Sequence, residues 1–194
     1  MTSNNDLLST LSVLSKYINL RQNDDEIFVN LAKDGNVELV KTFIKLGADI
    51  HACDDRAFRG ASQNGHLCVV EYLISQGADI HAMNESPLSC ASGNGHLDVV
   101  ECLIKNGADI HTDDEYALYC ASFFGHLSVV EYLIKNGADV HASNGRALRH
   151  ASENGHIHIV RYLQDCIEKK KEIEELKKQV LDIQNKINDL IKTK

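Results

Sequence analysis

The chain copies itself every 30 residues. Gly-Ala-Asp starts at residues 47, 77, 107 and 137, and Gly-His at 65, 95, 125 and 155, with Gly-Asn at 35 joining the second series. No other feature constrains the fold as much. A unit this short cannot bury an apolar face alone, so copies must stack and share a continuous core, and several are needed for stability. About five fit, at 23–52, 53–82, 83–112, 113–142 and 143–167.

Each unit reads as two short helices. In the copy at 57–82, Ala57, Phe58 and Ala61 share one face of a first helix. Asp55, or Asp114 in a later copy, stands where an N-cap would accept free backbone N–H groups. Gly65 ends that helix, because a left-handed cap costs glycine little. A second helix presents Leu67, Val70, Leu73 and Ile74 until Gly77 stops it, and "ADIHA" with Asp/Asn-rich residues turns into the next unit. Pro87, the only proline, falls at the start of a first helix, where its missing N–H is harmless.

The pattern A-L-x-x-A-S-x-N-G-H-L-x-V-V-E-Y-L-I-x-x-G-A-D-I resembles ankyrin repeats over about 145 of the 194 residues. The 30-residue period and the "GADIHA" turn look most like the ankyrin-repeat proteins of giant DNA viruses of amoebae. The resemblance implies an all-α solenoid of helix-turn-helix units. The usual unit is three residues longer, and the shortfall lies between "GADIHA" and the first helix, so short fingers are expected. The family's Thr-Pro-Leu-His segment is replaced by "RAFR" at 56–59, "SPLS" at 86–89, "YALY" at 116–119 and "RALR" at 146–149.

Charge and cysteine usage narrow the class further. The net charge is −8, and residues 23–167 carry 10 Lys and Arg against 21 Asp and Glu, a net of −11. Such a body repels phosphate backbones and anionic membrane surfaces, so neither nucleic acid nor membrane is an expected partner. The six cysteines, at 53, 68, 90, 102, 120 and 166, show no paired short spacing. No basic segment precedes the first apolar run, and no stretch approaches the roughly 18–20 apolar residues of a membrane span. An intracellular protein is expected, in the host cytoplasm if the viral resemblance holds.

The two ends depart from the repeat. Residues 1–22 contain an amphipathic stretch, with Leu7, Leu11, Leu14 and Ile18 on one stripe, suited to an N-terminal capping helix. At the other end, residues 168–194 hold no Gly or Pro and read as a long C-terminal helix. Ile173, Leu176, Val180, Ile183, Ile187 and Leu190 alternate spacings of three and four, the seam of a coiled coil. β-Branched residues at a, and Glu172 and Lys177 at g and the following e, lean towards a parallel homodimer. Folding back along the last repeat as a cap is the alternative.

Nothing in the sequence calls for chemistry. Eight of the ten histidines belong to the repeat, at 51, 81, 111 and 141 in the turns and 66, 96, 126 and 156 after the helix-ending Gly. Equivalent positions on packed helices stand about 8–10 Å apart, too far to share a metal, so these rings are expected to bond backbone. No phosphate-binding Gly loop or H-E-x-x-H occurs. No catalytic residue, cofactor or metal is expected, and the protein is read as a non-enzyme.

Positions that differ between copies are free to serve something outside the fold. They cluster at the turn tips and along the first helix, the regions that ankyrin relatives use as a concave surface for protein partners. "ASFFGHL" at 121–127 is the sharpest departure, because the other copies have Asn before the Gly. Tyr116, Tyr119, Phe123 and Phe124 put four rings on one unit, the composition of an interface centre. Arg56, Arg59, Arg146 and Arg149 are the expected flanking contacts. One Phe, Phe124 in particular, has the competing role of packing on the neighbouring repeat. The reading is a protein-binding module, made bivalent if the tail dimerises. The alternative is a self-assembling structural protein with no external partner.

Overall fold

In the computed structural model, residues 24–192 are described, with side chains for 26–188. The capping helix expected within 1–22 and the side chain of Leu190 lie outside the described residues. Every regular element among the described residues is a helix, and the chain divides within the turn that ends repeat 3 into two compact units, Met1–Asp109 and Ile110–Lys194.

The first unit holds α1 Asp24–Lys33, α2 Val37–Lys45, α3 Ala52–Gln63, α4 Leu67–Ser75, α5 Ala82–Gly93 and α6 Leu97–Lys105. First helices α1, α3 and α5 pack side by side, and second helices α2, α4 and α6 form a parallel row behind them. Phe28, Phe58 and Leu88 fill the first row, and Val69, Val70, Leu73, Val99, Val100 and Leu103 the second, all fully buried. The second-helix face is rotated slightly from the expected one: Val69 is buried, while Leu67 and Ile74 are only half-buried.

The second unit holds α7 Thr112–Phe124, α8 Leu127–Lys135, α9 Ala142–Glu153 and α10 Ile157–Lys192. Its core repeats the same slots with Leu118, Ala121, Val129, Val130, Leu133, Ala151, Ile159 and Leu163.

Glycine and histidine lock one repeat to the next. Gly65 stands at φ 75° after α3, and His66 N–H reaches back to Ala61 O at 3.0 Å in a Schellman closure. The His66 ring then lies on the preceding repeat. Its Nε2–H donates to Lys33 O at 2.7 Å, and a Cβ at Gly35 would stand 2.6 Å from the ring. His96 to Gln63 O and His156 to Phe123 O repeat the bond.

The fingers are short, as expected, but their conformation is not that of a simple N-cap. Cys53, Asp54 and Asp55 form a left-handed turn (φ 54°, 56° and 55°), as do 83–85, 113–115 and 143–145. Left-handed residues cost L-amino acids about 1–2 kcal/mol each, so the turn needs support. Asp55 supplies it instead of capping α3. Its buried carboxylate accepts from the His51 ring at 3.1 Å and from Asp79 N–H at 2.9 Å. Glu85 pairs with His81 in the same way, and Glu115 with His111 at 2.6 Å. These turn histidines therefore bond carboxylates rather than backbone. At the finger of repeat 5 the third left-handed residue is Gly145, which tolerates the conformation and carries no acid. Asp114, the other expected cap, is exposed and accepts from Ser143 Oγ at 3.3 Å.

Past the last repeat, α10 runs unbroken and does not fold back. Ile173, Leu176, Val180, Ile183 and Ile187 are 50–59% exposed, so repeat 5 does not cover the seam. Where the helix leaves the repeats, Lys170 Nζ reaches Asp139 Oδ1 at 2.9 Å.

Candidate functional site

The variable face of the second unit is built by α7 and α9. Tyr116, Tyr119 and Phe123 recur at spacings of three and four on α7 and so share one side of it. Their rings touch in sequence, Tyr116 to Tyr119 at 5.5 Å and Tyr119 to Phe123 at 5.8 Å between centroids. Phe123 meets Phe124 edge-on at 4.9 Å. The four aromatics predicted to form a cluster do form one.

Two side chains from α9 lean on this row. The Arg146 guanidinium sits 3.7 Å from the Tyr119 centroid and 5.7 Å from that of Tyr116, within cation–π range. One turn on, the His150 ring stands edge-on to Tyr119 at 5.2 Å and reaches Phe123 at 5.9 Å. His150 Nδ1 faces Glu153 Oε2 at 2.9 Å. His150 was not anticipated. The signal was available in its column, which reads Gly60, Cys90, Cys120 and His150 in successive repeats.

The two phenylalanines differ in exposure, and the alternative role of packing falls to Phe123 rather than Phe124. Phe123 is the half-buried one, held between Tyr119 and His150, with its carbonyl accepting from His156. Phe124 is 58% exposed and Tyr116 39% exposed. Phe124 lies in the slot where Asn64 donates to Lys33 O, and where Asn94 and Asn154 donate to carbonyls of their own helices, each at 2.8 Å. Phenylalanine makes no such bond, and α7 runs one residue further before Gly125 caps it at φ 87°.

The arginines divide too. Arg59, in the first unit, is engaged locally: Nε donates to Asp54 O at 2.9 Å and Nη2 to Cys53 O at 3.2 Å, holding the left-handed finger. Arg56, in the same unit, and Arg149, in the second, are exposed. Carboxylates surround the aromatic row. Asp113 and Asp114 are exposed at the finger tip, while buried Glu115 has one oxygen, Oε2, without a hydrogen-bond partner.

Three electrostatic shifts lie at the turns, at His51, His81 and Asp139. The carboxylate of Asp55 holds the His51 imidazole above its usual pKa, and Glu85 does the same for His81. Lys170 pulls the Asp139 carboxyl below its usual range. Beside Cys120 and partly buried, the Tyr116 hydroxyl is raised. Among the described residues, no group of three or more His, Cys, Asp or Glu is arranged to hold a metal ion. No described helix is long and apolar enough to cross a membrane.

No curated protein matches this sequence. The family model described as "Ankyrin repeats (3 copies)" matches in three overlapping placements, at residues 28–114, 58–144 and 109–175. With paired helices, Gly-terminated first helices and repeat-to-repeat histidine bonds along those same residues, the chain belongs to the ankyrin-repeat family.

Proposed function

We propose that the protein is a non-enzymatic interaction module. Ankyrin repeats generally mediate protein–protein contacts, and here the partner is bound on the first-helix and finger side of the repeats. The observation that carries this reading is the aromatic row Tyr116, Tyr119, Phe123 and Phe124. It occurs in one copy only, it includes an exposed Phe where other copies have a hydrogen-bonding Asn, and the fold does not require it. Aromatic and arginine side chains dominate interface energetics, and Arg146 and Arg149 border the row, while Arg56 and Arg59 offer the same chemistry on the first unit. The period and "GADIHA" turn support a viral origin of the kind found in amoebal giant viruses, and hence action in the host cytoplasm.

A pull-down from cell lysate with wild type and with Phe123→Gln plus Phe124→Asn tests the site. The reading expects a protein held by the wild type and lost from the folded variant. Retention of the same proteins by both, or of nothing but the chain itself, contradicts it.

The exposed seam of α10 supports a second element, self-association as a parallel coiled-coil homodimer. A dimer would present two binding faces and gain avidity. If no external partner exists, the same seam makes a self-assembling structural protein. The expected mass of the full chain is that of a dimer, falling to a monomer on Val180→Asp with Ile183→Asp. A monomeric wild type at all concentrations contradicts it.

A further inference from the structure

Arg146 covers the face of Tyr119. Its guanidinium lies closer to that ring than to any other aromatic it meets, and Tyr116 is also within reach. A cation over the face of a tyrosine is attracted by the ring quadrupole, and a planar guanidinium adds stacking. The row thus already holds one cationic side chain, the chain's own Arg146.

The surroundings favour the same sign. Asp114, Glu115 and Asp139 line one small space with Tyr119 and Arg146. Buried Glu115 keeps Oε2 unpaired, and Asp113 and Asp114 stand exposed at the tip of the finger. Over residues 23–167 the net charge is −11. An incoming carboxylate seeking Arg146 would pass these acids, whereas an incoming guanidinium is drawn by them and finds ring faces at the end. Like charges at an interface reject a partner, and opposite ones steer it in.

From this arrangement we infer that the aromatic face recognises an arginine-bearing basic segment of a protein partner, whose guanidinium takes the place on Tyr119 that Arg146 holds in the free protein. This rests on the interaction-module reading and names the partner's chemistry. Arg146 is then a tethered competitor rather than a contact for partner acids, and removing it should strengthen binding.

The test titrates the full-length protein, at about 0.15 M salt to screen diffuse attraction, with two ten-residue peptides, one alternating Arg and Gly and one alternating Glu and Gly. The wild type should bind the Arg peptide and not the Glu peptide. Arg146→Ala should tighten the Arg peptide about threefold or more, and Phe123→Gln plus Phe124→Asn should weaken it. Loss of Arg-peptide binding on Arg146→Ala, or equal binding by every variant, overturns the inference. Preference for the Glu peptide, lost both in Arg146→Ala and in the double Phe variant, overturns the cationic assignment and leaves the aromatic interface standing. No binding of either peptide by any variant overturns the assignment as well, and the interface is then judged by the lysate comparison alone.

Discussion

Two copies of one segment, "ASQNGHL" at 61–67 and "ASFFGHL" at 121–127, occupy the same slot and use it differently. In the first, Asn64 reaches to the preceding repeat and donates to Lys33 O. In the second, Phe124 makes no bond to any repeat and projects its ring outward. The backbone registers the exchange only slightly: both helices end at a left-handed Gly, the one bearing Phe124 after running one residue further. The comparison teaches that the repeat's stability resides in its glycines, its buried aliphatics and its histidine bonds. The slot before the Gly accepts a residue that makes no such hydrogen bond, as Phe124 shows.

The comparison breaks most visibly if a buried and an exposed phenylalanine are each replaced. Phe58→Ala should cost about 3–5 kcal/mol in denaturant melts, since that ring is fully buried in the row of first helices. Next comes Asn64→Ala, expected to lose about 1 kcal/mol with its one inter-repeat hydrogen bond. Phe124→Asn should change stability by no more than about 0.5 kcal/mol, as a surface substitution. If Phe124→Asn costs as much as Phe58→Ala, the ring belongs to the core and the comparison fails.

A smaller effect sharpens the role of the fingers. The imidazoles of His51 and His81 have raised pKa values in the folded state. Their contribution is thus fully present below the unfolded value of 6.5 and lost as pH rises through the raised one. The melting-temperature gap between wild type and His81→Ala should therefore shrink from about pH 5.5 to about pH 8.5. A gap that widens over that range contradicts the pairing with Glu85. Both rings are exposed, so the change should be small.

Much of this was legible from residues alone. The 30-residue period, the paired helices, the glycine stops and the aromatic grouping all follow from spacing, because each depends on contacts within one repeat or between identical ones. The left-handed fingers were not legible, because Cys53, Met83 and Asp113 carry no glycine signal. Their conformation is held by an acid two positions on and, in the first unit, by Arg59, which also donates to the Cys53 and Asp54 carbonyls. Nor could spacing say which phenylalanine packs. That depended on His150 arriving from the next helix, a contact visible only once the helices are side by side.

The most direct test of the aromatic face is a photo-crosslinking amino acid placed at position 124 and, in a second protein, at the equivalent position 94. Both are incubated with cell lysate under identical illumination. The account predicts a discrete protein adduct from position 124 and none of that mass from position 94. Equal adducts from both positions, or adducts from 94 alone, would contradict it.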